Sequence, residues 1–201
     1  MDKSSFNSKE LIILGGPSCA GKTFLIKKIQ LGQYPSLCSQ LGILNPSSWR
    51  YIAARKLKSI DLTYEDQLVV HYDFYTQQSK EDEFNNLTTL IANFDKISVV
   101  TIRAPRSTLI KRNSLRIIML SLKYIFLLLR LSSKKRRVIV LQKLHNTRAK
   151  NSAYKNGVSE LLYEKWFKYF SQLPEVKHYV LNTVGSNIVE LRVNESHETV
   201  Y

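Results

Sequence analysis

Gly16-Pro-Ser-Cys-Ala-Gly-Lys-Thr23 matches G-x-x-x-x-G-K-[ST], the Walker A pattern, at every position. Leu11-Ile-Ile-Leu14 just before it is a short apolar run that reads as a buried strand. Behind it, Phe24-Leu-Ile-Lys-Lys-Ile29 spaces its apolar residues as the first turns of a helix packed on a sheet. Strand, glycine-rich turn and helix form the context in which this pattern is a phosphate-binding loop. Gly15, Gly16 and Gly21 permit backbone angles that let successive N–H groups converge on one anion. A helix beginning near Lys22 adds its positive end. Lys22 is then placed to reach β- and γ-phosphates, and the Thr23 hydroxyl to hold Mg²⁺. The expected nucleotide-binding residues are therefore Gly16, Pro17, Ser18, Cys19, Ala20, Gly21, Lys22 and Thr23. A plain turn joining strand to helix does not account for three of the chain's 7 glycines falling at positions 15 to 21 with the Lys-Thr pair in register.

The 201 residues, 44% hydrophobic and 23% charged, suit one globular domain with a real core. The polar segment Met1–Glu10 is unlike a secretory leader, and no apolar run approaches the ~18 residues of a spanning helix. Cys19 and Cys38 provide no disulfide framework, so a reduced, cytoplasmic setting is expected; no Cys/His metal cluster is visible.

The net charge of +14 is concentrated. Residues 1–100 hold 11 Lys and Arg against 10 acids, residues 151–201 hold 5 against 6, and residues 101–150 hold 14 against none. Such a block points to an anionic partner: nucleotide phosphates, an anionic substrate, nucleic acid or a membrane surface. Part of it is expected to be a solvated face.

Gly32-Gln-Tyr-Pro35, Gly42 and Asn45-Pro46 punctuate the next region as loops, and Ser47 to Leu57 reads as a helix capped by Ser47 or Ser48. Leu68 to Tyr72 is β-favouring and runs into Asp73. In an open parallel sheet, ligands sit beyond the carboxyl ends of strands, so Asp73 is expected to face the loop's crevice. It can hold Mg²⁺ through water or accept the proton of an attacking hydroxyl, and both roles stay open; a structural Asp would instead cap the following turn. His71 points away from that face and reads as packing.

Residues 81–94 form an expected helix, with Leu87, Leu90, Ile91 and Phe94 in helical spacing, and Ile97–Ile102 an expected strand. Pro105 then breaks the strand and Ser107 can cap a helix on which Arg112 and Arg116 share one face. Two guanidinium groups there suit the charge of a phosphoryl group in transfer; the bland reading is a pair of surface arginines. Residues 117–131 are apolar but broken by Lys123 and Arg130, and a core or lid helix is the leading reading. A membrane-surface helix is the second, because Lys134-Lys-Arg-Arg137 follows at once. Residues 134–150 read as a mobile basic lid over phosphates. The absence of Phe, Trp and Tyr from 127 to 153 argues against nucleic-acid binding. Ser159–Leu173 reads as a capped helix with Leu162, Trp166, Phe170 and Leu173 as its core stripe, and Lys177–Thr183 as the last strand before a polar tail.

Taken together, this order resembles the small-molecule kinases of the P-loop NTPase superfamily. Gly15 to Thr23 is similar to the loops of uridine-kinase-like and nucleotide-kinase-like enzymes, and Asp73-Phe-Tyr75 to the acid–Phe–Tyr segment of the uridine kinase branch. The likeness covers about residues 10–185. It departs from that branch in the roughly fifty residues between Lys22 and Asp73 and in a longer, more basic lid. The fold it implies is a three-layer α/β/α sandwich with a mostly parallel sheet. One domain would span 1–201, with a basic helical lid insertion at about 107–157 and a frayed tail after about 194.

The activity it implies is ATP-dependent transfer of the γ-phosphoryl group to a small-molecule hydroxyl, on an acceptor that the basic block would allow to be anionic. Lys22, Asp73, Arg112 and Arg116 would carry catalysis, with Mg²⁺ at Thr23 and Asp73. Two other classes remain open: a sulfonucleotide-dependent sulfotransferase, which the intact Lys22-Thr23 pair disfavours, and a nucleotide-gated protein docking on a polyanion or membrane.

Overall fold

The computed structural model describes residues 8–43, 45–48, 51–53, 67–74, 83–130, 133–184 and 187–193. Strand β1 (Glu10–Gly16) lies at the middle of the sheet, and Leu11, Ile12, Ile13 and Leu14 are all sealed from solvent. A strand covered on both faces needs such an uninterrupted apolar run. Around it stand β2 (Tyr51–Ala53), β3 (Gln67–Asp73), β4 (Lys96–Arg103), β5 (Lys177–Val184) and β6 (Asn187–Val193). Their order is β2-β3-β1-β4-β5-β6; the first five are parallel and β6 runs antiparallel to β5.

The helices described are α1 (Lys22–Gln30), α2 (Pro35–Gln40), α3 (Glu83–Ile91), α4 (Arg106–Leu129), α5 (Lys134–Lys155) and α6 (Val158–Phe170). Alternation along the strands divides the core in two. Ile12, Leu14, Val69, Val100 and Ile102 pack with Leu25, Ile26 and Ile29 of α1 and with Leu37 and Cys38 of α2. Leu11, Ile13, Leu68, Val70, Tyr72 and Val99 pack with Leu87, Leu90 and Ile91 of α3 and with Leu162, Trp166 and Phe170 of α6. The chain is thus an α/β protein with helices on both faces of a mostly parallel sheet. Because β1 has β3 on one side and β4 on the other, a crevice opens at its carboxyl end, where Gly16 pairs with Asp73 and Gly15 with Thr101.

Several expectations change. Tyr51–Ala53 is a strand, paired in parallel with Val69–His71, where a helix over 47–57 was expected. A β-favouring Tyr-Ile pair beside an open sheet edge gains ladder bonds that a short helix would not. Residues 46–48 form one 3₁₀ turn. Pro35 starts α2 inside a region read as loop, proline being preset for a helix's first turn. Ser107 lies inside α4, whose N-cap position is Pro105, and Gly157 precedes α6 where Ser159 was the expected cap. β5 is followed by β6, which continues the sheet where a polar tail was expected. Residues 54–57 of the expected helix, Tyr75, and the tail after 194 lie outside the described residues.

Of the stretch 117–131, read as a core or lid helix, the core alternative fails: residues 117–129 extend α4 into a hairpin with α5, and of α4 only Leu109 and Asn113 are buried. Asn151 Nδ2 donates to Ser114 Oγ across the antiparallel pair at 3.4 Å. Among the described residues one partner helix covers one side of α4 and none covers the other.

Candidate nucleotide site

The loop between β1 and α1 is shaped by three unusual residues. Gly16, Cys19 and Gly21 have φ of 155°, 68° and 116°. A Cβ on Gly16 would stand 2.8 Å from the Ile102 carbonyl oxygen, so no side chain fits there. Cys19 is a non-glycine residue in the left-handed region, at a cost of about 1 kcal/mol. Its thiol donates to Asn113 Oδ1 at 3.0 Å, a bond that helps hold it there. Gly15 has a different reason for being glycine: an added Cβ would meet Trp166 Cζ2 at 2.4 Å. The α6 indole packs directly beneath the loop's entry.

The five carbonyls from Gly16 to Ala20 are each claimed by a donor. Lys22 Nζ donates to Gly16 O at 2.6 Å and to Pro17 O at 2.7 Å. Tyr154 OH donates to Ser18 O at 3.2 Å. Arg112 Nη1 donates to Cys19 O at 3.1 Å and Ala20 O at 2.9 Å, and Thr183 Oγ1 donates to Ala20 O at 3.1 Å. In a trans peptide the N–H points opposite to the C=O. Holding the carbonyls therefore aims the intervening amides the other way; the Ala20 N–H closes a turn onto Pro17 O at 3.2 Å. No side chain caps α1, so its first-turn N–H groups join the same concavity.

Charge gathers at the mouth. Asp73 Oδ2 lies 3.6 Å from Lys22 Nζ, and Asp73 Oδ1 lies 3.9 Å from Lys150 Nζ, which also reaches Ser18 Oγ at 3.3 Å. Burial pulls the Lys22 ammonium below the usual lysine range; Asp73 opposes that shift and the like charge of Lys150 adds to it. Arg116 Nη1 stands 3.9 Å from Cys19 Sγ. Thr23 is exposed in the first turn of α1. Burial, with help from the charge of Asp73, pushes the Tyr154 phenol far above its ordinary value and keeps it a donor.

Lys22, Thr23, Asp73, Arg112 and Arg116 are therefore brought to one loop. Arg112 is spent partly on loop carbonyls, which makes it a clamp on the loop as well as a cation beside it. Sequence reasoning missed Lys150, Tyr154, Asn113 and Thr183. Thr147, Lys150, Asn151 and Tyr154 recur at helical spacing on one face of α5, a polar stripe that was a readable signal.

The residues present fit a triphosphate and a divalent cation. An amide-lined loop with a buried lysine takes phosphate oxygens. Mg²⁺ needs only one or two protein oxygens besides phosphate and water, and the Thr23 hydroxyl and the Asp73 carboxylate are of the right kind. Among the described residues no group of three or more His, Cys, Asp or Glu gathers to hold a metal by itself. No protein-family model matches the chain, and no curated protein matches it.

Proposed function

We propose that this chain is a P-loop phosphotransferase that uses Mg-ATP to phosphorylate a small-molecule hydroxyl. The observation that carries the reading is the loop's polarity: carbonyls 16–20 are all tied to protein donors, which turns the N–H groups of Ser18, Cys19 and Gly21 away from those donors and suits them to an anion. Its place at the carboxyl end of β1, between β3 and β4, supports the same conclusion.

In this reading the loop amides and Lys22 hold the β- and γ-phosphates and offset their charge. Thr23 and Asp73 would hold Mg²⁺, which when bound would supply charge neutralisation at the phosphates. The nearness of Asp73 to Lys22 supports the metal-side role over that of proton acceptor for the attacking hydroxyl. Lys150, beside Ser18 and Asp73, and Arg116, beside Cys19, add positive charge at the loop's mouth, and Arg112 holds the loop in shape. The chemistry needs positioning and charge offset more than covalent help from the protein.

The test is isothermal titration with Mg-ATP followed by a screen of hydroxyl acceptors, reading ADP release. Saturable heat with Mg-ATP and acceptor-dependent ADP are expected. Absence of heat with purine nucleoside triphosphates would sink the proposal. Heat only with a sulfated nucleotide, independent of Mg²⁺, would move the chain to the sulfotransferase class.

A further inference from the structure

The α4–α5 hairpin carries a surface that phosphate binding does not use. Leu115, Ile118, Met119, Leu122, Ile125, Phe126 and Leu129 are exposed, each by half or more of its area. Their spacing repeats every three or four residues, so at 100° per residue they form one stripe about 120° wide and about 21 Å long. Val138, Ile139 and Leu141 of α5 are exposed as well. Leu109 and Tyr154 from this hairpin join the core under the sheet, with Ile110 packed against them, and Val140 and Leu144 of α5 are buried as well. Contiguous apolar surface of this extent marks a place where something binds.

Charge indicates what that is. Around the helix axis, Lys123 and Arg130 lie along one border of the stripe, in line with the Arg112 and Arg116 that serve the loop. Lys134, Lys135 and Arg136 at the start of α5 are exposed beside its far end. The Arg130 guanidinium lies over the Phe126 ring, 4.3 Å from its centroid, so cation and apolar surface are joined there. No Asp or Glu occurs between Asp95 and Glu160. A second copy of the chain would oppose this face with another that has no acid to pair with. Nucleic acid would use aromatic platforms, and the stripe is aliphatic apart from Phe126.

We infer that this face lies on an anionic lipid bilayer, with the α4 stripe at the boundary between headgroups and acyl chains and with Lys123, Arg130 and the start of α5 on the lipid phosphates. The arrangement is that of an interfacial helix, apolar on one side and cationic on its border. No described helix is long and apolar enough to cross a membrane, and α4 lies along the surface instead. The stripe begins within one turn of Arg112 and Arg116, which touch the nucleotide loop, so docking would hold the loop's mouth close to the lipid surface.

The experiment is sedimentation of the full chain, without nucleotide, with vesicles of phosphatidylcholine alone or containing about one-third phosphatidylglycerol, at low and high salt. Binding to the anionic vesicles, weakened but not abolished by salt, is expected. The double variant L122E/F126E changes two exposed residues and should fold normally by circular dichroism while lowering partition by about a hundredfold or more. The triple variant K134E/K135E/R136E should lose about tenfold or more at low salt, with a flattened salt response. The inference is overturned if wild type ignores anionic vesicles or if folded L122E/F126E binds them as wild type does. It is equally overturned if wild type is a dimer that L122E/F126E makes monomeric, or if duplex DNA competes fully while the apolar variant binds it unchanged. Because nucleotide is absent throughout, failure here leaves the phosphotransferase proposal standing.

Discussion

Replacing Lys22 by methionine separates ligand binding from folding. In the free protein the ammonium makes two short bonds to Gly16 O and Pro17 O, and its side chain is 3% exposed. Methionine keeps most of the volume without an ion to desolvate. The relieved desolvation offsets part of the lost bonds, and Asp73 keeps Lys150 beside it, so stability is expected to fall by no more than about 3 kcal/mol. Towards a triphosphate, two charge-assisted bonds disappear at about 1.5–3 kcal/mol each. Allowing for the loop bonds that lysine gives up on binding, the net loss is about 3 kcal/mol, or roughly 150-fold in Kd. Titration calorimetry with Mg-ATP measures the affinity and urea unfolding the stability. There is a pH counterpart. The folded Lys22 titrates below its unfolded value of 10.5, so the unfolded chain holds more protons between those two values, and free-protein stability rises with pH across that window. Nucleotide affinity falls across the same window, because the phosphates need the charged amine. K22M should erase both trends. An unchanged Kd in a folded K22M protein would refute the phosphate-ligand role; a loss of stability above about 3 kcal/mol would make Lys22 a structural peg.

Gly15→Ala should destabilise the fold by about 1–3 kcal/mol, since its Cβ meets Trp166 2.4 Å away in a ring that is fully buried and tied to Thr101. Combined with Trp166→Phe, the loss should be smaller than the sum by about 1 kcal/mol in chemical unfolding; strict additivity would deny the contact. His178, near Thr101 Oγ1 at 2.6 Å, is pushed down to about 4 by burial. The unfolded imidazole protonates first, so stability should hold above about pH 6.5 and fall by about 3 kcal/mol as pH drops to 4, a window that His178→Phe should remove. Asp73→Asn should raise the Mg²⁺ concentration needed for half-maximal nucleotide binding about tenfold or more, checked by calorimetry at stepped Mg²⁺. If only turnover falls, Asp73 belongs on the acceptor side.

The site was legible where its chemistry is local. Eight consecutive residues carry the loop, and Asp73 ends the strand that pairs with β1, so its position followed from one apolar run. Arg112 and Arg116 were readable as a helical pair, yet the bonds of Arg112 to Cys19 O and Ala20 O were not, because they depend on where α4 crosses the loop. Lys150 and Tyr154 come from residues more than 130 positions beyond Ser18, and only the return of α5 along α4 delivers them. The three-residue β2 escaped notice because an edge strand so short is decided by its neighbour more than by its own composition.

Local pattern alone determined the strand–loop–helix unit, the buried β1, β3 and β4, and a basic block of fifty residues without an acid. Those features depend on periodicity and backbone permissiveness, which neighbouring residues set for themselves. Whether the apolar stretch after Arg116 would fill the core or face outward was undetermined by composition, since both suit an apolar helix. Tertiary packing decided it: α5 covers one side of α4, the sheet is already covered by α1, α2, α3 and α6, and among the described residues no further element packs on the remaining stripe.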